Sequence, residues 1–304
     1  MTNRLIKIII VMLGGALVIM GIFLFKKDFK TEGMFWTQYD YNENGSMTGG
    51  SIYSYHNGEI ECIDHQVLDN ASIYGTTIVG LQNAHVGLTG YQGIVLYDIN
   101  TKEVQEILSF ARIEEALGID KENWLIGCIQ MSADENRFYF SYNHKLVCYN
   151  RECDELSVMA ENILYLGSIV LNEEETGLYY SDSGTLMFYD FSSGQRKEIL
   201  SGVDTFSLAN GDRFLIYSHR EKDELWKYDL ESKENKKLCN LKRSSGNKIV
   251  VSPDNQYVAY TDSKEAFVPT ALKYYLIVRE VKTGRKKVIY KGKYGEAGMN
   301  SLVW

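Results

Sequence analysis

A hairpin recurs along this chain, and its spacing constrains the fold more than any other feature. In each copy an apolar strand ends in tyrosine, turns beside a polar residue, and returns as a polar and apolar alternation. The copies lie at residues 51–55, 94–98, 146–150, 186–190, 225–229 and, in degenerate form, 276–280. The residues closing these strands, Tyr55, Tyr97, Tyr149, Tyr189, Tyr228 and Arg279, are 42, 52, 40, 39 and 51 positions apart. A period near 40 residues holding four short strands is the spacing of propeller blades, since one such sheet buries its faces only by stacking on copies of itself. Two prolines in 304 residues, many aromatics and frequent turn signals agree with an all-β chain.

Ahead of each hairpin two more strands meet at a tight turn. In the third unit the turn is Ser132-Ala-Asp-Glu-Asn136, and in the sixth it is Ser252-Pro-Asp-Asn-Gln256. Residues 172–176 and 210–212 keep only the turn chemistry. The sixth copy resembles the Ser-Pro-Asp-Gly turn of TolB-like (WD40-like, PD40) β-propeller repeats. The resemblance spans about residues 34–304 and is closest in the last blade; it implies a fold and carries little about activity.

The ends of this region fit together. Residues 300–304 (Asn-Ser-Leu-Val-Trp) read as the innermost strand of a blade, while the first unit has only three strands, near residues 34–39, 51–55 and 59–63. The C-terminal strand is therefore expected to complete the first blade, closing a six-bladed ring without an open sheet edge and making Trp304 a natural end.

Residues 1–33 read as a membrane anchor with a short linker, and residues 34–304 as the propeller. The uncharged run from Ile8 to Phe25 follows Arg4 and Lys7 and stops at Lys26 and Lys27. Its 18 residues would span about 27 Å as a helix, close to a bilayer's hydrocarbon thickness. No small-residue cleavage site follows the run, and no cysteine precedes Cys62, so an uncleaved single-pass signal anchor is expected. The propeller would then stand on the extracytoplasmic side of the cell membrane.

The net charge of -8 argues against a nucleic-acid partner. One stretch runs against that balance: Lys273, Arg279, Lys282, Arg285, Lys286, Lys287, Lys291 and Lys293 face only Glu280 within it. It reads as a solvated hairpin or as a patch for anionic headgroups or cell-wall polymer. The five cysteines are scattered, with no C-x-x-C pair, so neither a zinc site nor a disulfide framework is signalled. Four read as small hydrophobes in strands and Cys153 as a turn residue, with a Cys148 to Cys153 bridge the alternative.

In a propeller the connections from strand two to three, and from strand four to the next blade, share one face. Three long excursions fall there: residues 40–50, 109–123 and 262–272, the second holding a two-turn helix over residues 111–117. Long loops on a rigid scaffold are where binding residues concentrate. The candidate ligand-face residues are Asp40, Asn42, Tyr91, Arg112, Glu115, His219, Arg220 and Phe267.

Other constellations carry less. Asp40, Asn42, Asn44 and Gly45 match the first half of a calcium loop, but Thr48 and Ser51 stand where later carboxylates belong, so no cofactor is expected and calcium is the weak exception. Asp134 and Asp254 recur at one turn position and read as turn caps. The run Glu173 to Glu175 reads as a solvated turn. No Gly-x-Ser-x-Gly elbow and no phosphate-binding glycine loop is present, and the five histidines have no acidic partner identifiable by spacing. The functional expectation is a membrane-anchored scaffold that binds a protein or cell-envelope component without catalysis. The alternative is an extracytoplasmic hydrolase or lyase working at the channel mouth.

Overall fold

In a computed structural model of the chain, the described residues are 33–41, 47–56, 58–66, 68–83, 91–118, 126–163, 166–243, 248–265, 272–292 and 299–304. The anchor expected over residues 1–33 lies outside them except for Gly33. No described helix is long and apolar enough to cross a membrane.

Strands two and three of a blade are sandwiched between neighbouring blades, so they are written as near-continuous apolar runs. Outer strands lie at the periphery and are mostly exposed over their first three or four residues. The first unit gives β1 (Met34–Tyr41), β2 (Met47–His56) and β3 (Glu59–Asp64). Blade two follows as β4 (Leu68–Tyr74), β5 (Thr77–Asn83), β6 (Tyr91–Asp98) and β7 (Val104–Ser109). A helix, α1 (Phe110–Leu117), then leads into blade three: β8 (Gly127–Met131), β9 (Arg137–Tyr142), β10 (Lys145–Asn150) and β11 (Glu155–Ala160). Blade four comprises β12 (Leu166–Leu171), β13 (Gly177–Asp182), β14 (Thr185–Asp190) and β15 (Arg196–Ser201). Blade five comprises β16 (Val203–Leu208), β17 (Phe214–His219), β18 (Glu224–Asp229) and β19 (Asn235–Asn240). Blade six comprises β20 (Ile249–Val251), β21 (Tyr257–Glu265), β22 (Leu272–Glu280) and β23 (Lys286–Lys291). The last strand, β24 (Met299–Val303), adds antiparallel to β1, so the first sheet runs β24-β1-β2-β3 and each of six sheets has four strands. This is the expected all-β six-bladed propeller with its expected closure.

The recurring tyrosine seals the blade junctions. Tyr55, Tyr97, Tyr149, Tyr189 and Tyr228 are all buried, and a buried ring must find a partner for its hydroxyl. Tyr97 donates to Asp64 Oδ2 of the preceding blade at 2.9 Å, and Tyr55 Oη accepts from Lys287 Nζ of blade six at 2.9 Å. In blade six Arg279 takes the position and its Nη2 donates to the Leu238 carbonyl of β19 at 2.7 Å.

The six innermost strands each have one edge without a ladder partner, and side chains from the neighbouring blade cap several of those groups. Ala71 N donates to Ser301 Oγ at 2.8 Å, Ser72 Oγ to the Ile129 carbonyl at 2.8 Å, and Val251 N to Ser207 Oγ at 3.0 Å. Asn70 Nδ2 and Ser181 Oγ cap the Ile126 and Asp204 carbonyls in the same way. On the face away from the long connections, turns join blade to blade. Ala133 N donates to Glu175 Oε1, Glu173 N to Asp212 Oδ2, and Asn210 N to Asn255 Oδ1. Asp134 and Asp254 are turn caps, accepting from Ser132 Oγ and Asn136 N, and from Ser252 Oγ and Gln256 N, respectively.

All five cysteines are free, so the Cys148 to Cys153 bridge is absent. Cys62 lies in a strand as read, but it is exposed and does not pack as a small hydrophobe, because β3 is an outer strand whose first four residues face solvent.

Candidate binding face and channel mouth

The mouth face is built from the N-terminal ends of the inner strands and the connections between strands two and three. It is uneven. In blade six the β21–β22 ladder runs out to Glu265 opposite Leu272, in blade one β1–β2 runs to Tyr41 opposite Met47, and in blade two β5–β6 runs to Asn83 opposite Tyr91. The described residues of two of the three expected excursions are thus hairpin ladder. The backbone ladder carries on through Tyr39-Asp40-Tyr41 and through Thr261 to Glu265, and Gly49 and Gly50, which read as loop, sit inside β2.

Blades three and four instead close with two-residue turns. Asn143 and His144 take φ of 47° and 59°, and Ser183 and Gly184 take 51° and 90°, the left-handed pair that fits strand twist. Three consecutive blades therefore stand high and the next two stand low.

The third excursion holds the expected helix. Ser109 caps α1 by accepting from Arg112 N at 3.3 Å, the Gly118 N–H closes on the Glu114 carbonyl at 2.9 Å, and Ile113 is fully buried among Leu96, Leu108 and Ile126. Arg112 and Glu115 form an exposed ion pair at 3.5 Å, which contributes little to stability and leaves both heads to solvent.

On the low side, the junction of blades four and five collects titratable groups. Arg220 lies over the Gly184 turn so closely that a Cβ there would stand 2.6 Å from its Cδ. The His219 ring lies on Gly202, where a Cβ would meet Nε2 at 2.9 Å. His219 Nδ1 accepts from Glu221 N at 3.2 Å, so the neutral ring carries its proton on Nε2. Asp204, next to Val203 that pairs with His219, has its carboxyl raised above the ordinary range by burial, with Arg220 pulling the other way.

Below the mouth the inner strands enclose a cavity of about 220 Å³ whose polar lining includes Asn70, Cys128, Gln130, Ser168, Thr205 and Lys248. Lys248 is the one lysine, arginine or carboxylate among its lining residues. Cys128 and Lys248 both line this lumen, where burial raises the Cys128 thiol and the Lys248 ammonium pulls it the other way. Asp69 is buried near the mouth and accepts from Tyr39 Oη. Asp262 is buried too, but its Oδ1 takes the Lys242, Arg243 and Ser263 amides and so fixes the crossing into blade six.

Of the candidate residues, His219 and Arg220 come together beside Asp204, while Arg112 and Glu115 sit apart on α1 between blades two and three. Asp40 and Tyr91 hold ladder positions opposite Gly49 and Asn83, and Asn42 and Phe267 lie outside the described residues. Residues 42–46 of the half calcium loop also lie outside, and no group of three metal-ligating side chains occurs among the described residues. Asp204 and Lys248 went unread in the sequence. A charge just before or inside an apolar innermost strand, as in Val203-Asp-Thr-Phe and Lys248-Ile-Val-Val, is the signal that marks them.

No family model matches the sequence, and no curated protein matches it. Solved structures do match in fold. TolB from Acinetobacter baumannii superposes with a TM-score of 0.63 at 11% identity, over 90% of this chain and 66% of that one. The chain thus spans a little under two thirds of that protein. A putative TolB from Agrobacterium tumefaciens gives 0.59 at 10% identity, over 88% and 92%. A chain of a nidogen/laminin complex gives 0.62 at 9% identity, over 89% and 97%. The fold is that of the TolB-like propellers, and these likenesses establish fold alone.

Proposed function

We propose that this protein is a binding scaffold whose mouth face takes a protein or cell-envelope partner, with the N-terminal segment Ile8 to Phe25 tethering it to a membrane and the propeller on the extracytoplasmic side. The observation that carries the reading is the uneven face. Raised hairpins on blades six, one and two form a wall beside the low turns of blades three and four, and a partner seats against such a step in one orientation. Rigid ladders hold that wall, so little ordering entropy is lost on binding. A chain of similar fold was solved within a nidogen/laminin complex, which supports a protein partner.

The test is photo-crosslinking in intact cells, with a photoreactive residue placed in turn at Arg112, Glu115, His219 and Arg220, and on the opposite face at Glu174 and Lys233. A discrete adduct from mouth-face positions alone is expected; adducts from the opposite face alone would refute the assignment. Membrane tethering is read separately, by retention of the full chain in the pellet after alkaline carbonate washing.

A further inference from the structure

Between blades five and six, on the side away from the mouth, a groove of about 550 Å³ opens to solvent. Phe214, Leu238 and Val281 give it an apolar floor, and Lys227, Lys236 and Lys282 stand around it. The sequence singles out only Lys282, as part of its basic last hairpin, because the three lysines come from β18, from β19 and from the turn after β22. Only the packing of two blades gathers them.

The cations are left over. Lys227 is half-buried, with its ammonium 3.9 Å from the centre of the Phe214 ring. Burial holds its pKa below the ordinary lysine value, and Arg213 and Lys236 push it further down against the pull of Asp229. The nearby carboxylates are engaged. Asp229 accepts the Glu231 and Ser232 amides at 3.1 and 2.9 Å, and Glu280 accepts from Arg285 Nε at 2.9 Å and Thr283 Oγ1 at 2.5 Å. Among the described residues no ion pair involves Lys227, Lys236 or Lys282. Asp229 offsets part of the Lys227 charge, and the groove's one lining carboxylate, Glu280, is held by Arg285 and Thr283, so in a chain of net charge -8 three ammonium groups around one apolar groove leave an excess of positive charge that suits an anion.

We infer that this groove binds a phosphate ester, with the phosphoryl group among Lys227, Lys236 and Lys282 and the organic part on Phe214, Leu238 and Val281. A phosphomonoester carries nearly two negative charges and three acceptor oxygens, which suits three point-charge donors better than a single carboxylate does. The groove is also far larger than a bare phosphate needs and falls in the range of small-molecule sites. The same phosphomonoester chemistry reaches the groove either as a free ester or as the headgroup of phosphatidic acid.

The experiment uses the full chain with its lysines carrying ¹³C-methyl groups, titrated with glycerol 1-phosphate, and in parallel a sedimentation assay on vesicles of phosphatidic acid in phosphatidylcholine. Saturable binding of the ester at about millimolar concentration or tighter is expected. The Lys227 methyl signal should shift, and its titration should move to higher pH as the phosphate adds to the counter-charge of Asp229. The K236Q/K282Q double variant alters two exposed side chains, so the fold stays intact; it should weaken binding at least about tenfold, while K197Q on the exposed edge of β15 changes it less than about twofold. Vesicle binding without ester binding, lost in the double variant, would assign the phosphate to a lipid. No saturable binding of either probe, or binding that survives K236Q/K282Q, would overturn the inference.

Discussion

Ring closure by β24 makes a sharp prediction through Leu302. This side chain is 8% exposed and stands opposite Trp36 in the β24–β1 register, inside the junction that joins the two ends of the propeller. Cutting a buried leucine back to alanine removes its burial and leaves a cavity, at a cost of about 2–4 kcal/mol. For a domain of this size that lowers the melting temperature by roughly 5–12 °C. The matched control is Val288→Ala on β23, where the side chain is 49% exposed and the expected change is about 0.5 kcal/mol or less. Thermal unfolding followed by circular dichroism, with size-exclusion chromatography to detect pairing through a loosened β1 edge, reads both variants. If Leu302→Ala melted with the wild type and Val288→Ala did not, the C-terminal strand would not be part of the first blade.

Three further outcomes follow from the geometry. Asp98, Asp190 and Asp229 each take backbone amides of the turn after strand three, and their carboxyls are lowered, that of Asp190 to about 2 by the Ser192 and Ser193 hydroxyls and the Ser193 amide. A depressed folded-state pKa stabilises above the unfolded value and is lost as pH falls, so melting temperature should drop between about pH 4 and pH 2, less steeply in Asp190→Asn. Arg220→Ala should raise the Asp204 carboxyl further, seen as a higher midpoint in a ¹³C carboxylate titration; an unchanged midpoint would separate the two side chains. Ser207→Ala should leave the Val251 amide unpaired at a cost of about 1–3 kcal/mol, and hydrogen exchange at Val251 should speed up ahead of the rest of β20.

The ring was legible because its signals are local and repeated. Five of the six blades place a strand-three tyrosine at the junction, so Tyr55, Tyr97, Tyr149, Tyr189 and Tyr228 recur, and the Ser252 to Asp254 turn needs its short acidic cap. The helix expected over residues 111–117 forms as Phe110–Leu117, with Ile113 buried and Ser109 as its cap. The height of the hairpins was not, since Gly49 and Gly50 suit a loop and a strand alike, and only pairing with Tyr39 and Asp40 decides between them. Asp204, Arg220 and His219 were half legible. Their meeting depends on an inner strand running beside the end of its neighbour, with Gly184 and Gly202 leaving room for the overlying side chains. The lysine groove was hidden for the same reason, its members being brought together by blade stacking.

The clasp also dictates an order of events. Trp36 and Leu302 pair across 266 residues, and every other sheet is assembled from strands that follow one another in the chain. During synthesis five blades have all their strands before β24 emerges, while β1 waits with its inner edge bare. Such a long-range closure is slow and comes last. A chain stalled before that step exposes β1 beside the first strand of blade two, and the product to expect is two stalled rings joined edge to edge.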